Sequence, residues 1–331
     1  MIFSRTPFRI SFFGGGTDFP SWFKDHPGAV LSASIDKYCY IGCRLLPPFF
    51  SYKYRITYSD REEINHISQI KHPSVRETLR FLKENRGLHV HHDADLPART
   101  GLGSSSTFTV GLLNALYALR GKMVSKKQLA LEAIHIEQKM IAEHVGSQDQ
   151  TIAAFGGFNR IEFKPSNIEV HPITIPQEKI DLFQSYIMMY FTGFSRISSE
   201  IAKHQVKAIP NKSSELKAMY AMVGQGVELL NSQRLSFDAF GKLLHESWKL
   251  KRSLTDKIST SYIDEIYNIA IRAGALGGKL MGAGGGGFMF FFVRPEQQPK
   301  VKIKLKKLLY VPVKLESLGS QIIYYRPDYN Y

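Results

Sequence analysis

The sequence predicts an α+β fold of two domains. Strand and helix patterns alternate along its 331 residues, a length that suits two domains or one large one. Glycine-rich loops interrupt both halves next to predicted strands, and the segment 165–177 carries three prolines, which indicates the crossing between domains. We therefore expect an N-terminal domain over residues 1–175 and a C-terminal domain over residues 176–331.

Elements of the first half follow from periodicity and capping residues. Alternating or continuous apolar residues predict strands at 8–13, 29–46, 52–59, 89–96 and 158–163. Helical spacing predicts helices at 73–85, from Ser104 to a stop at Gly121, and at 125–143. Ser125 and Gln128 form a capping box at the start of the last of these.

The second half begins with a continuous apolar strand at 186–191, after which Ser198 opens a helix. Further helices are predicted at 214–232, 236–254 and 261–273, and residues 279–293 indicate a glycine loop followed by a strand. The segment 300–309 alternates like a strand, yet its length and Pro295 allow a helix. Two strands, 311–316 and 321–325, close the predicted fold.

Composition restricts the partners. The net charge of +14 and a pI near 9.6 favour anions. No nucleic-acid-binding motif is present and the basic residues are dispersed, so small phosphorylated metabolites or nucleotides are favoured. Cys39 and Cys43 are too few for a disulfide framework or a zinc site. No apolar run suits a signal peptide or a membrane helix, and we expect a soluble cytoplasmic protein. The sequence leaves open whether it forms a homo-oligomer.

One stretch, L-P-A-R-T-G-L-G-S-S-S-T-F-T-V at 96–110, has the composition of a phosphate-binding loop. Gly101 and Gly103 permit a tight turn, and the serines at 104–106 are good helix-capping residues. Free N–H groups and the positive end of the helix dipole then meet at the loop. No lysine follows as in a Walker A motif, so a metal would sit on a serine hydroxyl. An ordinary helix entry is the alternative.

Two other segments contain chemically suggestive residues. Residues 282–287, G-A-G-G-G-G, match the dinucleotide pattern formally, but a strand follows them rather than a helix. They suit a loop that approaches a ligand closely. The run His89-x-His91-His92-x-x-Asp95 could indicate a metal, although a polar strand edge is the favoured interpretation.

Three motifs stand in order: P-F-R-I-S-F-F-G-G-G-T-D, L-P-A-R-T-G-L-G-S-S-S and K-L-M-G-A-G-G-G-G. Together they resemble the GHMP small-molecule kinases. The resemblance implies an N-terminal ribosomal-protein-S5-like domain, a C-terminal ferredoxin-like domain, an active site between them, and ATP with Mg²⁺. Within the family, F-F-G-G-G-T-D-F-P with G-A-V-L-S-A-S-I-D-K-Y-C-Y is most similar to the D-glycero-D-manno-heptose 7-phosphate kinases. These phosphorylate the anomeric hydroxyl to give the 1,7-bisphosphate for nucleotide-activated heptose and surface polysaccharide.

Residue roles implied by the resemblance fall into four groups. Asp149 is the catalytic base and Arg9 the cation beside it, while Ser105 and Glu137 hold Mg²⁺. The nucleotide-binding residues are Pro97, Gly101, Leu102, Gly103, Ser104, Ser105 and Ser106. The substrate-binding residues are Arg9, Gly15, Gly16, Thr17, Asp18, Asp149, Gly284 and Gly285.

Two departures from the family bear on the substrate. Galactokinases have G-E-H-T-D where this chain has G-G-G-T-D, so Gly15 replaces a glutamate that contacts sugar, which fits a bulkier or anionic sugar. Arg99 stands where the family often has glycine; either the bend differs or Arg99 adds a countercharge near the nucleotide. A phosphate on the substrate needs cationic or N–H donors. Arg196 is the first candidate, and Lys37 and Arg44 are the second.

Two alternatives remain open at this point. Another GHMP sugar kinase, such as a fucokinase-type enzyme, shares the same motifs. A catalytically silent relative that binds sugar phosphate or nucleotide is the other, and the presence of Ser105, Glu137 and Asp149 argues against it.

Overall fold

The computed structural model describes residues 1–193, 198–233 and 236–326, and side chains from residue 201 in the second range. Within these ranges the strands form a nine-stranded sheet and a four-stranded sheet. The first sheet contains β1 (Ile2–Phe13), β2 (Gly28–Leu45), β3 (Tyr54–Thr57), β4 (Arg61–Ile64), β5 (Leu88–Ala94), β6 (Phe158–Lys164), β7 (Asn167–Pro172), β12 (Leu315–Glu316) and β13 (Gln321–Tyr325). The second contains β8 (Ile187–Phe191), β9 (Ala275–Leu280), β10 (Phe288–Val293) and β11 (Leu309–Tyr310).

Strand β2 organises the first sheet, whose main order is β13-β1-β2-β5-β3-β4. Its 18 residues pair with β1 on one side, and on the other with β6 along the first half and β5 along the second. The second sheet has the order β11-β8-β10-β9. Every residue of β10 is buried, which explains its unbroken apolar sequence F-M-F-F-F-V.

The helices surround these sheets. They are α1 (Pro20–Phe23), α2 (Pro73–Phe81), α3 (Ser104–Leu119), α4 (Lys126–His135), α5 (Gln148–Phe155), α6 (Gln177–Ser185), α7 (Ser198–Ala208), α8 (Ser213–Asn231), α9 (Asp238–Ser253), α10 (Ser261–Arg272) and α11 (Gln298–Lys304). One π-helical turn, Ile136–Met140, continues α4. None of the helices in the described ranges is long and apolar enough to span a bilayer.

The two faces of β10 join two apolar cores. Phe290 packs against Phe12 of β1 in a core that also includes α3. Phe291, on the opposite face, lies in a second core with Trp248 of α9 and Tyr267 of α10. This alternation places the glycine loop before β10 between the two cores, where it contacts elements of both halves.

Predicted helices at 214–232, 236–254 and 261–273 are confirmed within two residues. The segment 300–309 is resolved as the end of helix α11 followed by a turn and β11. The helix predicted at 73–85 ends at Phe81, and the one predicted at 125–143 changes to the π-helical turn and ends at Met140. The strand predicted at 311–316 is reduced to β12.

The predicted domain crossing at 165–177 is wrong for its first half. Residues 167–172 form β7, which pairs antiparallel with β6 as a hairpin of the first sheet. Pro165 therefore lies in a tight turn rather than a linker, and Pro172 ends a strand that no further strand covers among the described residues. The chain leaves the first sheet after residue 172.

The end of the described chain returns to the first sheet. β12 pairs with β2, and β13 pairs with β1 as the edge of the sheet. A unit built on the first sheet thus includes residues from both sides of the division at residue 175, and that division stays a prediction.

Candidate active site

A cleft with a volume of about 1000 Å³ lies where the two halves meet. Its wall includes Arg9 of β1, Ser106 of α3, Asp149 of α5, Lys251 of α9 and Lys279 of β9. Five elements that are distant in sequence therefore place polar side chains in one cavity.

The glycine loop before α3 forms one side of this cleft. Gly103 takes a left-handed conformation (φ 82°) as the N-cap of α3, and no side chain caps the helix. The predicted capping by the serines is therefore wrong: the Ser104 hydroxyl instead accepts a hydrogen bond from the Arg99 amide at 3.1 Å. Arg99 itself has φ 61°, so the bend expected of a glycine is kept by an arginine. The first N–H groups of α3 remain available to a ligand.

The late glycine loop packs directly on this turn. A Cβ at Gly101 would lie 2.4 Å from the Met281 carbonyl oxygen, and a Cβ at Gly282 would lie 2.4 Å from the Gly101 Cα. Only glycine fits at either position, since real Cβ atoms do not approach so closely. The two loops thus fix each other's position.

Several residues assigned to binding lie behind the wall of the cleft. Gly284 and Gly285 pack on Ile258, and it is Gly282 and Ala283 that line the cavity. Leu102 is buried, and its carbonyl accepts from the Arg9 amide. Outside the cavity lining lie the buried residues Thr17, Leu102, Gly284 and Gly285 and the exposed Pro97. The cavity is lined by Gly15, Gly16, Asp18, Ser104, Ser105 and Ser106.

Arg9 and Asp149 form a bidentate ion pair in the cleft. The Arg9 Nε and Nη2 atoms each donate to one Asp149 oxygen at 2.8 Å. Arg9 Nη1 donates to the Gly101 carbonyl at 2.7 Å, which ties the pair to the glycine loop. A Cβ on Gly103 would lie 3.2 Å from Asp149 Oδ2, so the carboxylate faces the same loop. Asp149 lies in the first turn of α5.

Asp18 is held beside this pair by the first glycine loop. Its Oδ1 accepts from the Gly16 amide at 2.9 Å, and its Oδ2 accepts from the Gln148 amide at 3.4 Å. Burial raises the pKa of the Asp18 carboxyl, against the effect of these amides, and the charge of Asp149 raises it further. The Thr17 hydroxyl donates to the Gly14 and Ala29 carbonyls at 2.8 Å and so fixes the loop from behind.

Glu137 is completely buried beneath the serines. Its Oε2 accepts from the Ser106 hydroxyl at 2.8 Å and from the Gln150 amide at 2.5 Å. Its Oε1 is buried and has no hydrogen-bond partner among the described residues. Burial raises the pKa of Glu137 to about 7.

These contacts fit a divalent cation. A buried carboxylate with one unpaired oxygen is costly unless a cation or a proton compensates it. Mg²⁺ prefers oxygen ligands such as this carboxylate and a neighbouring hydroxyl. The hydroxyl on Glu137 is that of Ser106, and Ser105, the predicted metal ligand, is exposed in the cleft one residue earlier.

An aromatic group also lines the cleft. His72 stacks on Phe108 with ring centroids 4.6 Å apart, and Tyr58 and His92 contact this pair edge to face. Sequence analysis missed this group and placed His92 at a polar strand edge. His92 instead contacts Phe108, and burial lowers the pKa values of both histidines, so both rings favour the neutral form.

Sequence analysis also missed Lys251 and Lys279. A signal existed for Lys251, because Leu244, Trp248 and Lys251 follow one another at helical spacing on the buried side of α9. Lys279 interrupts the otherwise apolar and glycine-rich strand A-L-G-G-K-L. Of the cations predicted for a substrate phosphate, Arg196 lies outside the described residues, and Lys37 and Arg44 lie on β2 away from the cleft lining.

Comparison with known proteins identifies the family. The model of the GHMP kinases N terminal domain matches residues 73–157, and the model of GHMP kinases C terminal matches residues 228–311. A D-glycero-alpha-D-manno-heptose 7-phosphate kinase of Campylobacter jejuni is 30% identical over 92% of this chain and 93% of its own length. A bifunctional fucokinase/GDP-fucose pyrophosphorylase of Arabidopsis thaliana is 23% identical over 89% of this chain and 30% of its own length.

Solved structures share the fold. A D-glycero-D-manno-heptose 1-phosphate kinase from Bacteroides thetaiotaomicron superposes with a TM-score of 0.80 at 23% identity, over 98% of this chain and 99% of the other. A Lactococcus lactis galactokinase complexed with galactose gives a TM-score of 0.72 at 16% identity, over 97% and 94%. The chain therefore belongs to the GHMP kinase family and is an ATP-dependent sugar kinase.

Proposed function

We propose that this kinase phosphorylates the anomeric hydroxyl of a sugar phosphate, D-glycero-D-manno-heptose 7-phosphate, to give the 1,7-bisphosphate. The observation that carries the proposal is the Arg9–Asp149 pair, bonded to the glycine loop on one side and next to Asp18 on the other. A heptose 7-phosphate kinase is also the relative that is 30% identical along nearly the whole chain.

Proton transfer is the part of the reaction that Asp149 would perform. As the sugar oxygen bonds to phosphorus, its proton passes to a carboxylate oxygen of Asp149, and the bond from phosphorus to the leaving diphosphate breaks. The carboxylate keeps lone pairs for this proton although it already accepts from Arg9. Arg9 holds it in place and adds positive charge where negative charge develops. Asp18 would orient the sugar hydroxyls.

The nucleotide would lie along the other side of the cleft. Tyr58, His72, His92 and Phe108 offer flat aromatic surfaces for the base. The N–H groups at Gly103 and Ser104 would face the phosphates. Ser105, Ser106 and Glu137 would hold Mg²⁺, which neutralises phosphate charge when bound.

Measurement of ADP release over a panel of sugars tests the proposal. The panel contains D-glycero-D-manno-heptose 7-phosphate, the same heptose without phosphate, and fucose. We expect the heptose phosphate to have the highest kcat/KM, by about 30-fold or more over the free heptose, because a charged anchor in a buried site is worth about 2 kcal/mol or more.

The same panel addresses the alternatives. Equal kcat/KM for the heptose with and without phosphate would contradict a sugar-phosphate substrate, and preference for fucose would support the fucokinase-type reaction. Absence of ADP release with every sugar, despite binding, would indicate a catalytically silent protein.

Double-mutant cycles can assign the metal ligands. We expect Ser105→Ala and Glu137→Ala each to raise the Mg²⁺ concentration for half-maximal rate, and to be non-additive because they contact one ion. Ser106 and Glu137 should also couple in metal-free unfolding experiments, since their hydrogen bond exists without metal. Additive losses of Ser105→Ala and Glu137→Ala that do not depend on Mg²⁺ would show that the two residues do not share an ion.

A further inference from the structure

Two lysines line the cleft without a carboxylate partner. Lys251 of α9 is 6% exposed and donates to the Gly282 carbonyl, with the Leu280 carbonyl 3.5 Å from its Nζ. Lys279 of β9 is 2% exposed and donates to the Phe12 carbonyl at 3.1 Å. Neither Nζ forms an ion pair with a described carboxylate.

The nearby carboxylates are already engaged. Asp149 accepts from Arg9 through both of its oxygens, and its Oδ1 also accepts from the Gln148 side-chain amide at 3.1 Å. Asp18 accepts from backbone amides. Its charge raises the pKa values of both lysines, but it forms no ion pair with either of them. Three cations and two carboxylates therefore share this end of the cleft, and the lysines are the two of these cations without an ion-pair partner among the described residues.

Such an arrangement is unfavourable without a ligand. Burial of a charged ammonium group is strongly unfavourable unless a nearby anion compensates its charge. Burial, together with the charge of Arg9, lowers the pKa of Lys251 to about 8, against the opposing effect of Asp18 and Asp149. The pKa of Lys279 is lowered by burial first and by Lys251 second. Both groups would regain their full charge beside an anion.

We propose that Lys251 and Lys279 form the subsite for the phosphate that the sugar substrate carries, which rests on the proposed function. A phosphate dianion supplies a negative charge to pair with both ammonium groups. Its oxygens accept hydrogen bonds from the N–H groups that do not donate to the backbone carbonyls. Uncharged sugar hydroxyls cannot do this, so the pair selects a phosphorylated sugar.

The position of Lys279 favours the sugar over the nucleotide. Lys279 bonds to the carbonyl of Phe12, directly before the loop that carries Gly15, Gly16 and Asp18. Lys279 is thus tied to the loop proposed for the sugar, whereas Lys251 bonds to the carbonyl of Gly282, which packs on Gly101 of the loop that would face ATP.

Substitution by methionine separates this role from a structural one. We expect Lys251→Met and Lys279→Met each to lower kcat/KM for the heptose 7-phosphate by about 30-fold or more. The kcat/KM for the free heptose and the KM for ATP should change little. The Tm of the ligand-free variants should stay level or rise, because an apolar chain of similar length replaces a buried unpaired charge.

Lys249→Met is the matched control, since Lys249 lies on the same helix and its exposed ammonium pairs with Glu246 outside the cleft lining. This variant should leave the Tm and the kcat/KM for both sugars unchanged. Should a methionine variant fail to fold, Lys251→Gln and Lys279→Gln keep a donor for the carbonyls and carry the same test.

The outcomes are distinct from failure of the proposed function. If the wild type itself does not prefer the phosphorylated heptose, the proposed substrate is wrong and the subsite falls with it. If the wild type has that preference and the lysine variants keep it, only the subsite is overturned. An equal loss for both sugars, or a rise in the KM for ATP, would assign the lysines to the transferred phosphoryl group and also overturn the proposal. Thermal shifts with heptose 7-phosphate alone should be smaller in both variants than in the wild type.

Discussion

The Asp149→Asn variant should turn over about 10²–10⁴ times more slowly than the wild type, because its amide cannot take the proton of the sugar hydroxyl. Asparagine has nearly the volume of aspartate and can still accept from Arg9, so the loop bonded through Arg9 to Gly101 should keep its place. The loss should therefore appear in kcat, with little change in the KM for ATP. The anomeric hydroxyl is more acidic than a simple alcohol, which favours the lower end of the range.

Single-turnover measurement with saturating ATP isolates the chemical step from product release. Asp181→Asn is the matched control, since Asp181 is exposed on α6 outside the cleft lining and its carboxylate accepts from Gln177. Near-normal turnover in the Asp149→Asn protein would exclude Asp149 as the base. A large decrease in Tm together with weaker binding of both ATP and the sugar would instead indicate that the ion pair with Arg9 is chiefly structural.

The local elements of this site were predictable because short-range chemistry determines them. Glycines at 101 and 103, followed by a helical apolar pattern, predict a turn and a helix without knowledge of the rest of the chain. The structure has this turn and helix. The pairing of Arg9 with Asp149 spans 140 residues and was expected only from the resemblance to the family.

Tertiary packing decides the features that sequence analysis missed. Ser105 and Ser106 are equivalent in sequence, and only the rotation of α3 against the buried Glu137 shows that Ser106 donates to it. Residues 165–177 contain prolines that suit a linker, yet β6 extends far enough to pair with β7. Lys251 follows the apolar periodicity of α9, but a lysine at such a position is usually solvated, and the cleft beside it is visible only in the fold.

Loss of the Glu137 carboxylate should have the second-largest effect. Glu137→Gln keeps the shape of the side chain and a partner for Ser106, but removes the charge that would hold Mg²⁺. Substitution of residues that merely hydrogen-bond to metal ligands lowers metal affinity or activity about 10–100-fold, so loss of a ligand itself should lower kcat/KM at limiting Mg²⁺ by at least about 100-fold. Titration of the rate with Mg²⁺ measures this, and an unchanged half-saturation would remove Glu137 from the metal site.

Stability of the metal-free protein provides a second test with a defined sign. The pKa of Glu137 is raised to about 7 in the fold, against an ordinary value of 4.5. Between these values the folded carboxyl holds a proton that the unfolded chain releases, so the stabilising contribution present below about pH 4.5 is lost as the pH rises to about 7. This loss lowers the free energy of unfolding by about 3 kcal/mol, because each pKa unit corresponds to about 1.36 kcal/mol.

Glutamine does not titrate, so Glu137→Gln should avoid this loss. In EDTA, the Tm of the variant relative to the wild type should therefore rise between pH 5 and pH 8. Addition of Mg²⁺ at pH 8 should stabilise the wild type and not the variant, because the cation compensates the buried charge only where Glu137 is present. Equal pH dependence of the two proteins in EDTA would show that the buried carboxyl does not titrate in this range. An equal response of both proteins to Mg²⁺ would place the metal elsewhere in the cleft.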